Sequence, residues 1–256
     1  MEAGETGFYL FSACTVATLL WHPASPVERS LPSDAMRRMV MGSAMGATVI
    51  AIVLSPWGKQ SGAHFNPAIT LTFYRLGNVA FWDAVFYCAA QFAGAIAGVA
   101  LASFVLEGAP MDRAVRYSAT LPGFYGDTIA FVAELAISFI LMSAILFASN
   151  HRVLAPYTHY FAAILVAVFI AFESPLSGMS ANPARTLGPA LYGRYWHGLW
   201  VYFIAPPLGM LAAGEVFRLA REGRAPFCAK LHRHNDKRCI FRHSGPDPSA
   251  VFASRR

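Results

Sequence analysis

The feature that most constrains this chain is a pattern that occurs twice. Ser61-Gly62-Ala63-His64-Phe65-Asn66-Pro67-Ala68 is matched by Ser177-Gly178-Met179-Ser180-Ala181-Asn182-Pro183-Ala184, and the two asparagines stand 116 residues apart. Asn is among the best helix N-caps, and Pro at the first helical position has its φ already set and gives up no N–H that the helix needs. Each box therefore opens a helix. The apolar pattern that follows covers only residues 66–76 and 182–192. A helix of that length reaches about 16 Å, roughly half the hydrocarbon core of a bilayer.

Half-length helices matter because the rest of the chain is written for lipid. Hydrophobic residues make up 56% of it and charged residues 13%, against about 25% charged in a soluble domain. Apolar windows cover residues 7–21, 38–54, 82–106, 129–150, 157–172 and 196–219. The first begins almost at Met1, is followed by no clean small-residue cleavage site, and reads as a retained helix rather than a signal peptide. Each half then holds three spans, with its short helix between the second and third. Three is odd, so the second half enters the membrane inverted. The expected fold is an all-α membrane protein of six transmembrane helices and two re-entrant half-helices in an inverted repeat. Its single channel domain covers residues 1–220, with repeats of about 1–124 and 125–220.

Inversion sends the half-helices in from opposite faces, so their N-termini meet near the midplane. Both positive dipole ends, together with the Asn66 and Asn182 amides, then face one spot that repels cations and offers donors to a neutral oxygen. One Asn-Pro-Ala alone would be an ordinary helix start. Two at equivalent places in a duplicated membrane chain point to a pore for water or small neutral solutes. Arg185 lies one turn after Asn182, where the first repeat has Ile69, and a charge at membrane depth is functional by default. The pairs Gly42/Gly46 and Gly94/Gly98, four residues apart, favour close helix packing.

The net charge of +6 does not indicate a nucleic-acid partner. Ten of the 20 basic residues lie from Arg218 onward with three acids, so the remainder of the chain is slightly negative. Residues 221–256 read as a basic cytoplasmic tail, held on one membrane face or against anionic lipid and disordered from Gly245. With the termini inside, 13 basic residues lie inside and 7 outside, but only because the tail is counted. The tail also contains Cys228, His232, His234, Cys239 and His243, which are zinc-type ligands at a spacing that fits no common finger. Cys14 and Cys88 lie in spans, and no disulfide framework is implied. No cofactor is expected.

On both boxes, and on Asn-Pro-Ala-Arg in the second, the chain resembles the aquaporin family, the major intrinsic proteins, as a bacterial-type member, over residues 4–214. The resemblance implies a right-handed bundle of six helices with one pore per subunit, usually a homotetramer in the cell or plasma membrane. It implies that Arg185 forms the outer constriction. Met179, Ile170 and either Met45 or Gly46 complete that filter. Backbone around Gly62, Ala63, His64, Gly178 and Ser180 lines the pore, with the His64 side chain beside it. Glu2 and Glu134, with Glu5 as a weaker candidate for the first, resemble the acids that support the box loops; a generic acid at a helix start is the competing reading for either. Water-selective members have His and an aromatic residue where this chain has Ile170 and Met45 or Gly46, so its filter is more apolar. Thr186 and Ala190 after the second box, and Tyr202-Phe203 in the last span, are similar to water channels rather than glycerol facilitators.

Two other classes compete. An intramembrane enzyme needs a metal triad or a nucleophile with its base, and the chain has no His-Glu-x-x-His. A structural membrane protein with a closed pore has the same fold and differs only in permeability.

Overall fold

The computed structural model describes residues 1–242, and among these the regular secondary structure is helical. In chain order the helices are α1 (Glu2–Trp21), α2 (Pro26–Ser30), α3 (Asp34–Leu54), α4 (Pro56–Ser61), α5 (Pro67–Arg75), α6 (Phe81–Val105), α7 (Gly126–Ser149), α8 (Thr158–Phe172), α9 (Ser174–Ser177), α10 (Pro183–Gly193) and α11 (Leu199–Ala220). The helices α3, α6, α7 and α11, and the stretch Ala155–Phe172 containing α8, are long and apolar enough to cross a membrane. The sixth long helix, α1, has 20 residues and carries Glu2 and Glu5 in its first turn. The first apolar window thus starts one turn earlier than hydropathy suggests, because two acids are buried there.

The packing repeats with the sequence. In the first half α1 packs on α6, and in the second its counterpart α7 packs on α11. The half-helices are exchanged, α10 lying on α6 and α5 on α11, and the equivalent helices α3 and α8 face each other across the seam between halves. Small residues permit these approaches. A Cβ on Gly98 would stand 2.2 Å from the carbonyl oxygen of Gly7, and one on Gly42 would stand 2.3 Å from that of Ala167. The outer surface instead presents Phe86, Phe104, Val132, Ile164 and Phe172, all exposed. A belt of large apolar side chains at that exposure is compatible with lipid and not with water.

Candidate functional site

The half-helices α5 and α10 meet end to end. Asn66 caps α5 by accepting from the Ala68 N–H at 2.9 Å, and its Nδ2 donates to the carbonyl of Ala181 at 2.7 Å. Asn182 caps α10 by accepting from the N–H groups of Ala184 and Arg185 at 3.0 and 3.3 Å, and its Nδ2 donates to the carbonyl of Phe65 at 2.8 Å. Each asparagine thus starts its own helix and ties down the loop leading into the other.

Those loops are strained alike. Ala63 and Phe65 in the first, and Met179 and Ala181 in the second, have positive φ, a conformation that non-glycine residues hold only when their surroundings impose it. Buried carboxylates supply the restraint. Glu134 accepts from the Ser180 N–H at 2.6 Å, the Ala181 N–H at 2.7 Å and the Ser177 hydroxyl at 2.7 Å. In the first half the same work is divided. Glu2 accepts from the N–H groups of His64 and Phe65 at 3.1 and 2.7 Å and from Gln91, whereas Glu5 takes the Ser61 hydroxyl at 2.7 Å. The hydroxyls of Tyr87 and Tyr202 donate to the carbonyls of Ser61 and Ser177, one at each loop entrance.

Two cavities flank this junction. The outer one, about 530 Å³, is lined by Tyr9, Met45, Ile170, Gly178 and Arg185 among others. Arg185 is buried, its Nη1 donates to the carbonyl of Ser118 at 2.8 Å, and its Nε has no partner. A cation anchored at one end with a free N–H beside a cavity is equipped to donate to a passing oxygen and to repel positive charge. The inner cavity is about 40 Å³ and is lined by Asn66, Asn182, Phe65, Ile69, Val49, Met179, Ser180, Ala181 and Leu231 among others. At roughly 10–15 Å³ per enclosed water it has room for a few molecules. Tyr9 borders both cavities.

These positions sort the residues expected from the sequence. Met45, and not Gly46, faces the outer cavity, because Gly46 lies against the Ala163 carbonyl and the Ala167 methyl on α8. Met179, in a loop held at positive φ, borders the inner cavity and is absent from the lining of the outer one. The His64 ring, expected beside the pore, borders neither cavity. It is fully buried, stacked between Phe73 and Phe241, with Nε2 donating to the Ala229 carbonyl at 2.8 Å and Nδ1 3.1 Å from the Thr70 hydroxyl. Both ring nitrogens find partners away from the pore, which is why the ring turns there. Ser180 holds the equivalent place in the second loop and meets Thr186 in the same way, at 2.6 Å.

Sequence reasoning missed Tyr9, Ser118 and Leu231. The tail supplies the last: residues 226–242 pack beside Gly62, with Cys228, Ala229, Lys230 and Leu231 buried, where the sequence suggested a basic segment held on the membrane face. Among the described residues no group of three or more His, Cys, Asp or Glu is placed to hold a metal. Cys228 and Cys239 do come together, Sγ to Sγ 2.9 Å, but His232 packs edge-on against His159. His243 and the segment from Gly245 lie outside the described residues.

A membrane bundle with six long helices, in which two half-helices meet N-terminus to N-terminus beside a buried arginine, defines a multi-pass membrane protein of the re-entrant channel type. The Major intrinsic protein family profile matches residues 2–217, and the chain belongs to that family. It is similar to Aquaporin NIP2-1 of Zea mays, 35% identical over 196 residues covering 76% of this chain and 64% of that protein. It is also similar to Aquaporin NIP1-1 of Oryza sativa subsp. japonica, 30% identical over 226 residues covering 88% and 74%. Aquaporin NIP2-3 of Zea mays is covered over 61% of its length, so the chain spans less than two thirds of the two maize relatives. These relatives are plant proteins and lend nothing to a bacterial-type assignment. Among solved structures, the aquaglyceroporin of Plasmodium falciparum matches with a TM-score of 0.66 at 19% identity, over 84% of this chain and 92% of that one, a likeness of fold.

Proposed function

We propose that the chain forms a channel for passive transport of water and small neutral solutes that excludes protons and ions. The observation that carries this reading is the meeting of α5 and α10 at Asn66 and Asn182, which aims two positive helix ends and two amide groups at one buried point. Donors there suit an uncharged oxygen, while the dipoles and Arg185 oppose cations. The channel domain is residues 1–220 and the filter is Arg185 with Met45 and Ile170, in a cavity that Tyr9 also lines. The protein is a homotetramer in the plasma membrane with its termini in the cytoplasm. The family is one of channels.

A second reading, a facilitator of glycerol-sized solutes, is favoured by one observation: Met45 and Ile170 give the outer cavity apolar walls opposite Arg185, which suits the carbon face of a polyol. One assay separates the two. Proteoliposomes holding the full chain, or its Leu231→Ala variant, are placed in an impermeant osmotic gradient and then in a glycerol gradient. Faster shrinkage than in protein-free vesicles supports the channel, and re-swelling in glycerol supports the wider specificity. If neither protein accelerates shrinkage, the channel reading fails.

A further inference from the structure

The internal two-fold relation makes a demand that the structure does not meet. Gly62 and Gly178 are equivalent, one at each loop entrance, each with positive φ. Gly178 borders the open outer cavity of about 530 Å³. Both glycines are covered, but by different parts of the chain: a Cβ on Gly178 would meet the Leu121 backbone N at 2.8 Å, in the connection between the two halves, whereas one on Gly62 would meet the Phe241 ring at 2.7 Å, and the Gly62 carbonyl accepts from the Leu231 N–H at 3.1 Å. The first mouth is thus covered by the tail, and the cavity on its side is about 40 Å³ with Leu231 in the wall.

We propose that residues 226–241 are a gate built into the chain, with Leu231 as the stopper that closes the inner mouth of the pore. The proposal rests on the channel reading above. Leu231 is 2% exposed and shares its cavity with Asn66, Asn182, Ile69 and Val49, so its side chain stands where the solute file would leave the junction. The segment around it is held by buried apolar side chains, Phe227, Leu231 and Phe241, the last stacked on the His64 ring, and by a set of polar anchors. His64 Nε2 donates to the Ala229 carbonyl, Asn78 Nδ2 to the carbonyls of Pro226 at 2.8 Å and Arg242 at 3.0 Å, and Asn150 Oδ1 accepts from the Phe227 N–H at 2.8 Å.

The Lys230 ammonium donates to the carbonyls of Lys59, Lys237 and Arg238 at 2.7, 3.1 and 3.2 Å. It thereby ties the tail's own turn to the end of α4. Lys59, Asn78 and Asn150 lie at helix ends and connections, where water can replace their bonds when the segment lifts off, and His64 keeps its Thr70 partner. That distinguishes a removable closure from a piece of core, whose departure would strand its donors in lipid.

The test compares the full chain with two variants, Leu231→Ala and Lys230→Glu, by osmotic shrinkage of proteoliposomes at equal protein content. Leu231→Ala shortens the stopper. Lys230→Glu sets a carboxylate against three carbonyl oxygens and expels the segment without touching the bundle. Each is expected to raise water permeability at least about tenfold; truncating a buried leucine alone weakens a docked state by more than that factor. Reaction of Cys228, buried in the docked tail, with a bulky maleimide should rise in parallel for Lys230→Glu, and this readout does not depend on flow. If the full chain already conducts as fast as both variants, and Cys228 reacts equally in all, the gate is overturned and the channel reading stands. If no protein conducts above empty vesicles, the channel reading falls and the gate with it.

Discussion

Asn182 donates its side-chain amide to the backbone carbonyl of Phe65, a residue 117 positions earlier. With Asn66 donating to Ala181 in return, the two half-helices are joined through the side chains that cap them. Neither loop is therefore in its working shape unless the other is, and the junction behaves as one unit.

Substituting Arg185 tests the electrostatic part of that unit. Arg185→Val removes the buried charge beside the outer cavity and leaves the Ser118 carbonyl without its donor. Water flow should persist or rise, and liposomes under a potential should leak protons or monovalent cations, read with an internal pH dye. Unchanged ion exclusion would assign the barrier to the half-helix dipoles alone.

The acids are expected to differ in weight. Glu134→Ala strands the N–H groups of Ser180 and Ala181 and the Ser177 hydroxyl at once, whereas Glu5→Ala strands only the Ser61 hydroxyl. At about 1–3 kcal/mol per stranded buried group, thermal unfolding in detergent should show a loss for Glu134→Ala several times that for Glu5→Ala. Equal losses would mean that burial of the acid, not its bonds, is what matters.

Gly98 tests the closeness of the first helix pair. In Gly98→Ala the new methyl would stand 2.2 Å from the Gly7 carbonyl oxygen, and α1 must shift away from α6. Because Glu2 and Glu5 ride on α1, the first box loop should loosen with it. Overpacking of this kind costs about 1–3 kcal/mol, and a lowered unfolding temperature together with reduced osmotic permeability is the expected pair of results.

Acid should favour the lifted tail. His232 faces Lys59, Lys230 and His234, with the His159 ring of α8 4.8 Å away, and burial followed by those cations holds its pKa below the ordinary value. A histidine whose pKa is lowered in the docked state supports docking fully above its free value, about 6.5, and withdraws that support as pH falls through it. Permeability of the full chain should rise between pH 7.5 and 5.5, by at most about tenfold per pH unit, and His232→Gln should flatten the profile. A rise on alkalinisation would contradict this assignment.

Much of the architecture is legible in the residues themselves, because it rests on local rules with a second copy to check them. Asn-Pro at a helix start, 11-residue apolar runs and an odd number of spans per half lead to the inverted repeat, and the glycine pairs on α3 and α6 face the helices they approach. What stays hidden depends on direction rather than identity. Counting from the box cannot choose between Met45 and Gly46, since successive residues on a helix point about 100° apart and the connecting turn α4 takes up the slack. Met179 and His64 turn the other way because of positive φ and of partners far along the chain. The tail reads as a basic segment at the membrane face because half of the chain's 20 basic residues lie from Arg218 onward, yet Phe227, Cys228, Ala229 and Leu231 fall together, and that cluster was the available signal.

The seam between α3 and α8 has a consequence for synthesis. Gly42 on α3 rests against Ala167, and Asn66 gives its amide to Ala181, so the first half leaves the ribosome with a bare small-residue face and an unsatisfied amide at bilayer depth. Their partners are translated more than 100 residues later. Until then the nascent half has to be sheltered by the insertion machinery, or wait in a shape that keeps its re-entrant loop out of lipid.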